Sequence, residues 1–171
     1  GAERRRRTVE KPLWAPWRIE FIAAPKPDGC IFCDLPAQEG EESDRRNLVA
    51  HRSPSSFTLL NRFPYNAGHV MVVPRAHVAA LEDLPAADFA DLHEELRRAV
   101  AALREAYRPE GFNLGMNLGT VAGAGITDHL HYHVVPRWGG DTSFMPVLSD
   151  TKVMVEHLEA TWERIRAGFA R

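Results

Sequence analysis

Residues His129-Leu130-His131-Tyr132-His133-Val134-Val135 alternate histidine with apolar side chains and close on two valines, and this run constrains the chain more than any other. A period of two is the pattern of a half-buried strand, whose successive side chains point to opposite faces. The run predicts a strand over 129–135 with three imidazoles on one face and a core-facing set on the other. A lone histidine in a strand is ordinarily a hydrogen-bonded structural residue. Three in line beside the small-residue loop Gly119 to Gly125 are poorly explained by packing, which gains little from repeated groups that titrate near neutral pH. Two chemistries fit the spacing: a three-histidine metal site of the zinc-hydrolase kind, and nucleophilic attack by histidine on phosphorus. Spacing alone leaves both open.

The rest of the chain supplies a frame for such a strand. Phe57 to Asn61 and His69 to Pro74 read as two strands, joined through Arg62 to Gly68, whose Pro64, Asn66 and Gly68 are turn formers. After Asp83 and Pro85, apolar residues at Phe89, Leu92, Leu96, Val100, Leu103 and Tyr107 fall at spacings of three and four and predict an amphipathic helix. Pro109-Glu110-Gly111 ends it, and Phe112 to Asn117 reads as another strand. Leu158, Trp162, Ile165 and Phe169 predict a final helix, with Asp150 and Thr151 as its capping region. Residues 36–46, rich in charge and Ser, read as a surface loop. The expected fold is α+β, an antiparallel sheet with packed helices.

At 171 residues, 44% of them apolar, the chain is long enough for one sizeable core and short for two. Residues 1–29, with the arginine run Arg4 to Arg7, are expected to form a solvated N-terminal arm, and residues 30–171 a single catalytic domain that includes the last helix. Within the arm, Leu13-Trp14-Ala15-Pro16-Trp17-Arg18 is aromatic enough to pack on the core or on a second subunit. A net charge of −2 argues against a nucleic-acid or membrane partner, so phosphate recognition would have to be local. The absence of a long apolar run or an apolar leader suggests a cytoplasmic protein. Cys30 and Cys33 are too close together to staple a fold and fit a reducing compartment, leaving metal binding, a redox pair or buried thiols.

The seven-residue run resembles the signature of the histidine-triad superfamily of nucleotide hydrolases and transferases. Further segments agree in the right order: Cys30-Ile31-Phe32-Cys33, Leu60-Asn61, Gly68 to His77 with Pro74-Arg75-Ala76-His77, Asn117-Leu118-Gly119, Ala122-Gly123 and Pro136-Arg137. The resemblance implies that His131 attacks the α-phosphorus of an adenine nucleotide and forms a covalent nucleotidyl-histidine. It implies that His133 stabilises a phosphate oxygen, and that His129 and His69 set the tautomers and orientation of their neighbours. Asn117 matches an asparagine that donates to phosphate, Asn61 a residue on the ribose hydroxyls, and Ile31, Phe32 and Leu60 an apolar slot for the base. It also implies a structural zinc on Cys30, Cys33, His77 and His129, no cofactor for the chemistry itself, and a homodimer or higher homo-oligomer.

The sequence departs from the usual superfamily pattern before the triad, where Ala-Gly-Gln is common and Ala122-Gly123-Ala124-Gly125-Ile126 stands instead. The glutamine amide is missing whether Ala124 or Gly125 occupies its slot. Backbone N–H groups of a glycine-rich turn hold anions well, so Gly123, Ala124 and Gly125 suggest a seat for inorganic phosphate as acceptor. With Arg137-Trp138-Gly139-Gly140-Asp141 after the triad, the pattern is most similar to the actinobacterial diadenosine tetraphosphate phosphorylases of the superfamily. In that reading Trp138 either stacks on a second adenine or packs as an ordinary tryptophan. The implied activity is phosphorolysis of diadenosine tetraphosphate to ADP and ATP. The alternatives are hydrolysis of dinucleoside polyphosphates or nucleoside phosphoramidates with release of AMP, and a nucleotide-binding regulator with weak turnover.

Overall fold

Apolar and β-branched runs bounded by turn residues form five strands in the computed structural model, which describes residues 29–141 and 156–170. They are β1 (Val49–Arg52), β2 (Ser56–Leu60), β3 (Val70–Pro74), β4 (Gly111–Met116) and β5 (Tyr132–Arg137). The sheet order is β1-β2-β3-β5-β4, and every neighbouring pair is antiparallel. β5, last in sequence, inserts between β3 and β4 and is hydrogen-bonded on both sides. This α+β architecture is the one expected from the sequence.

Among the described residues, four α-helices accompany the sheet: α1 (Ile31–Ala37), α2 (Glu41–Asn47), α3 (Ala86–Tyr107) and α4 (Leu158–Phe169). One sheet face carries Leu60, Val70, Val72 and Val134 and packs on Leu92, Ala99 and Leu103 of α3 and Trp162 and Ile165 of α4. The opposite face carries Phe57, Leu59, Met71 and Val73 and is covered by Phe32 of α1. Register decides which face receives the triad: Met71 pairs with His133 and Val70 with Val134. His133 therefore belongs to the α1 side, while Val134 points into the larger core.

α3 follows the expected periodicity, but its buried centre also includes Ala99, Ala102 and a carboxylate, Glu95. Glu95 accepts hydrogen bonds from Thr58 Oγ1 at 2.6 Å and from His51 Nδ1–H at 2.9 Å, so this buried polar group has partners in the core. α4 approaches α3 so closely that a Cβ at Gly168 would lie 2.5 Å from the Ala102 carbonyl oxygen. Trp162 anchors α4 to β1, its Nε1–H donating to the Val49 carbonyl at 2.7 Å.

Three sequence expectations need correction. Within the 36–46 segment, read as a surface loop, residues from Glu41 onward belong to helix α2. Its acidic first turn and basic last turn complement the helix dipole, and Leu48 in the left-handed region closes it. With Asn47 its one buried residue, it shows no apolar stripe for a periodicity reading to find. The ladder of β5 begins at Tyr132 rather than at His129. Leu130 instead donates its N–H to the Val78 carbonyl at 2.9 Å, which fixes the segment before the strand. The last helix begins at Leu158 with His157 as its N-cap, so the expected capping region at Asp150 and Thr151 is wrong; those two residues and the aromatic stretch Leu13 to Arg18 lie outside the described residues.

Candidate active site

His131 lies just before β5, buried beside Phe32 of α1, the two ring centroids 5.1 Å apart. Its Nδ1–H donates to the His129 carbonyl at 3.0 Å. A carbonyl only accepts, so the proton of the neutral ring is fixed on Nδ1 and the lone pair on Nε2. Burial holds this imidazole below its ordinary pKa, against the opposing effect of that hydrogen bond. The ring is thus neutral at pH 7 in the tautomer a nitrogen nucleophile needs.

The same reasoning orders the neighbouring rings. The Tyr65 backbone N–H donates to His69 Nδ1 at 2.9 Å, so a neutral His69 carries its proton on Nε2. That proton is donated to His133 Nδ1 at 3.0 Å, which leaves the His133 proton on Nε2. His131 and His133 stand edge to face with centroids 5.0 Å apart. His129 turns the other way. Its Nε2–H donates to the Pro74 carbonyl at 2.7 Å, and its Nδ1 lies 3.3 Å from Cys30 Sγ and 3.7 Å from Cys33 Sγ. Burial, with smaller effects of His77 and His131, keeps the His129 ring neutral, as a metal-binding imidazole must be. The three triad imidazoles do not converge on a single ion, which removes the three-histidine metal site from consideration.

A metal centre is available elsewhere. One ligand atom from each of Cys30, Cys33, His77 and His129 falls within 4.8 Å of the others, and His77 Nδ1 is 3.4 Å from Cys33 Sγ. In a tetrahedral zinc site with ordinary bond lengths, nitrogen and sulfur ligands are separated by about 3.6 Å. The donor set therefore fits zinc in both chemistry and spacing. Burial and the adjacent Cys30 and Asp34 push the Cys33 thiol pKa up, so ionising it calls for a cation. The site sits behind His131 and not in the cavity.

That cavity, of about 560 Å³, opens on the α1 side of the sheet, and His131 and His133 form part of its wall. Ile31, Leu60 and Asn61 line it as expected, together with Leu35, Leu59 and Met71. Gly123, Ala124 and Gly125 line it from the loop before the triad, and Gly123 adopts a left-handed φ of 88° that favours glycine. Phe32 is not on the wall but wholly buried behind it, against His129 and His131. His69 and His129 are buried supports. Asn117 lies off the wall and directs its amide toward the Gly123 carbonyl at 3.5 Å. Trp138 is farther away, edge-on to Tyr107 with ring centroids 6.4 Å apart, and does not line the cavity. Sequence reasoning missed Arg62, Phe63 and Tyr65, which border the cavity from the turn between β2 and β3. Two aromatic residues in a turn were the available signal, since turn residues are surface residues.

Comparison with known proteins places these features in a family. The HIT domain model matches residues 43–140, more than half of the chain. Over 164 residues the chain is 40% identical to the AP-4-A phosphorylase of Mycobacterium tuberculosis, covering 93% of this chain and 84% of that protein. It is 30% identical over 95 residues to the asymmetrical bis(5'-nucleosyl)-tetraphosphatase of Schizosaccharomyces pombe, covering 56% of this chain and 52% of that one. Among solved structures, a Zn-bound histidine triad family protein from Mycobacterium smegmatis matches with a TM-score of 0.64 and 25% identity, over 83% of this chain and 94% of that one. With this family match, and with His131 and His133 of the triad on a cavity wall, the chain belongs to the HIT domain family.

Proposed function

We propose that this protein is a diadenosine tetraphosphate phosphorylase acting through a nucleotidyl-His131 intermediate. The observation that carries the reading is the fixed tautomer of His131, whose Nδ1–H is held by the His129 carbonyl while the ring borders the cavity. Its Nε2 attacks the α-phosphorus, the bond to the bridging oxygen breaks, and ATP leaves. The positive charge gained by the imidazole is stabilised through the Nδ1–H that already faces a carbonyl. His133, protonated on Nε2, donates to a phosphate oxygen. Inorganic phosphate then attacks the nucleotidyl phosphorus, the phosphorus–nitrogen bond breaks, ADP leaves, and the His131 lone pair is restored.

The loop before the triad supports phosphate as the acceptor. Two of its N–H groups are used internally, Gly123 to the Thr120 carbonyl at 3.0 Å and Ala124 to the Gly119 carbonyl at 3.3 Å. The acceptor is accordingly assigned to the segment from Gly125 onward, where no glutamine side chain fills the space. The apolar residues Ile31, Leu59 and Leu60 receive the base, and Asn61 the ribose. Asn117 acts by holding the loop at Gly123. Zinc on Cys30, Cys33, His77 and His129 would fix the position of His129 and hence the carbonyl that orients His131. The similarity to the Mycobacterium tuberculosis phosphorylase over most of the chain favours this activity.

Product analysis from diadenosine tetraphosphate, with and without inorganic phosphate, tests the reading. ADP and ATP in equal amounts, at a rate that depends on phosphate, are expected. AMP and ATP formed at the same rate under both conditions would overturn phosphorolysis in favour of hydrolysis.

A further inference from the structure

Tyr65 has no part in the chemistry above, yet it touches both histidines of the second pair. Its backbone N–H donates to His69 Nδ1 at 2.9 Å. Its ring stacks on His69 with centroids 4.7 Å apart and planes 29° apart, and leans on His133 with centroids 5.8 Å apart. Tyr65 leaves 45% of its surface exposed and borders the cavity. His69, beneath it, is 1% exposed.

We infer that Tyr65 is a positioning residue, whose ring clamps the His69–His133 pair in the one tautomer that keeps a proton on His133 Nε2 for the phosphate. This rests on the reading of His133 as the phosphate-oxygen donor.

The physical basis is a choice between two arrangements of the pair. If His69 rotates out of the plane that lets Nδ1 accept from the Tyr65 N–H, its Nδ1 can take the proton instead. His69 Nε2 then becomes an acceptor, and His133 must move its proton to Nδ1 to meet it. That leaves a lone pair on His133 Nε2, which repels a phosphate oxygen. Backbone donation and ring stacking come from the same residue, so the ring holds His69 at the angle at which the N–H meets Nδ1. An aromatic face also displaces water that would offer His69 Nδ1 a competing partner. The clamp acts on orientation only and touches no reacting atom.

Three variants and two readouts test this. Tyr65→Phe keeps the ring, Tyr65→Ala removes it, and Tyr65→Leu keeps apolar bulk without an aromatic face and serves if the alanine variant is unstable. The first readout is the ¹⁵N shifts of His69 and His133 in the nucleotide-free protein, which report the protonated nitrogen of each ring independently of any turnover. Wild type and Tyr65→Phe should show both rings protonated on Nε2, and the alanine and leucine variants a mixture of tautomers. The second is kinetics with diadenosine tetraphosphate and phosphate. Tyr65→Phe should stay within about twofold of wild type, while alanine and leucine lower kcat about five- to tenfold with KM nearly unchanged. A raised KM with unchanged kcat would make Tyr65 a nucleoside platform and overturn the inference, as would unchanged shifts in Tyr65→Ala or Tyr65→Leu. If wild type shows no turnover of diadenosine tetraphosphate, the proposed function fails, and the shifts still decide the role of Tyr65.

Discussion

In the proposed mechanism His131 separates binding from chemistry, because its Nε2 would form the covalent bond while base and ribose would be held by α1, β2 and Asn61 just after β2. His131→Ala should lower turnover by a factor on the order of 10⁴ or more, with nucleotide affinity changed by less than about tenfold. Single-turnover kinetics beside equilibrium binding measures both, and near-normal turnover would remove the nucleophile assignment. The loop offers a second test. Glutamine at Ala124 or Gly125 would fill the space assigned to the acceptor and bring an amide able to orient water. Each substitution is expected to reduce ADP formation at least several-fold while AMP formation is retained or rises. Chromatography of the products decides it, and undiminished ADP in both variants would place the acceptor elsewhere.

At the scale of elements, the docking of α4 on α3 depends on a polar contact as well as on Trp162 and Ile165. Tyr107 at the end of α3 donates its hydroxyl to Glu156 Oε2 at 2.6 Å, and Glu156 also receives Arg164 and Thr161. Burial, and then the hydrogen bond to Glu156, pushes the Tyr107 phenol up to about 12. An unfolded tyrosine titrates near about 10, so the folded state holds this proton more tightly. The resulting stability is complete below about pH 10 and is lost as the pH rises from there toward 12. The melting temperature should therefore fall more steeply over that interval in wild type than in Tyr107→Phe. Parallel curves for the two proteins would show that the phenol does not couple the helices.

For the whole molecule, the candidate zinc site joins residues that no single element brings together. Cys30 and Cys33 belong to the start of α1, His77 follows β3 and His129 precedes β5. An ion there would crosslink the segment carrying the triad to the helix that covers it. Removing zinc with a chelator should lower Tm by roughly 10 °C or more, while the rate per folded molecule at low temperature changes by less than about twofold. Calorimetry with metal analysis tests the first expectation and assays well below Tm the second. A protein isolated without metal and equally stable would leave the four residues without this role. No described helix is long and apolar enough to cross a membrane.

The sequence by itself determined what depends on local periodicity and residue type. Alternation in His129 to Val135 located the triad segment, the three- and four-residue spacing located α3, and the antiparallel α+β class followed from the order of elements. The four zinc-fitting residues were also named in advance, but through the resemblance to the histidine-triad superfamily, since residue type alone cannot select two of the eight histidines. The tertiary structure alone decided the rest, since each remaining feature is a contact between distant parts of the chain. Cys30 meets His129 across 99 positions and Cys33 meets His77 across 44. The proton positions of His131, His69 and His129 are set by the His129 carbonyl, the Tyr65 N–H and the Pro74 carbonyl, backbone groups whose directions no side-chain pattern encodes. Trp138 and Asn117 looked equivalent to Leu60 and Asn61 as ligand contacts in sequence, and only the tertiary structure puts the latter pair on the cavity wall. α2 escaped notice because a polar helix, closed by Leu48 at its C-terminus and tied to β1 by the Asp44–Arg52 ion pair, has the composition of a loop.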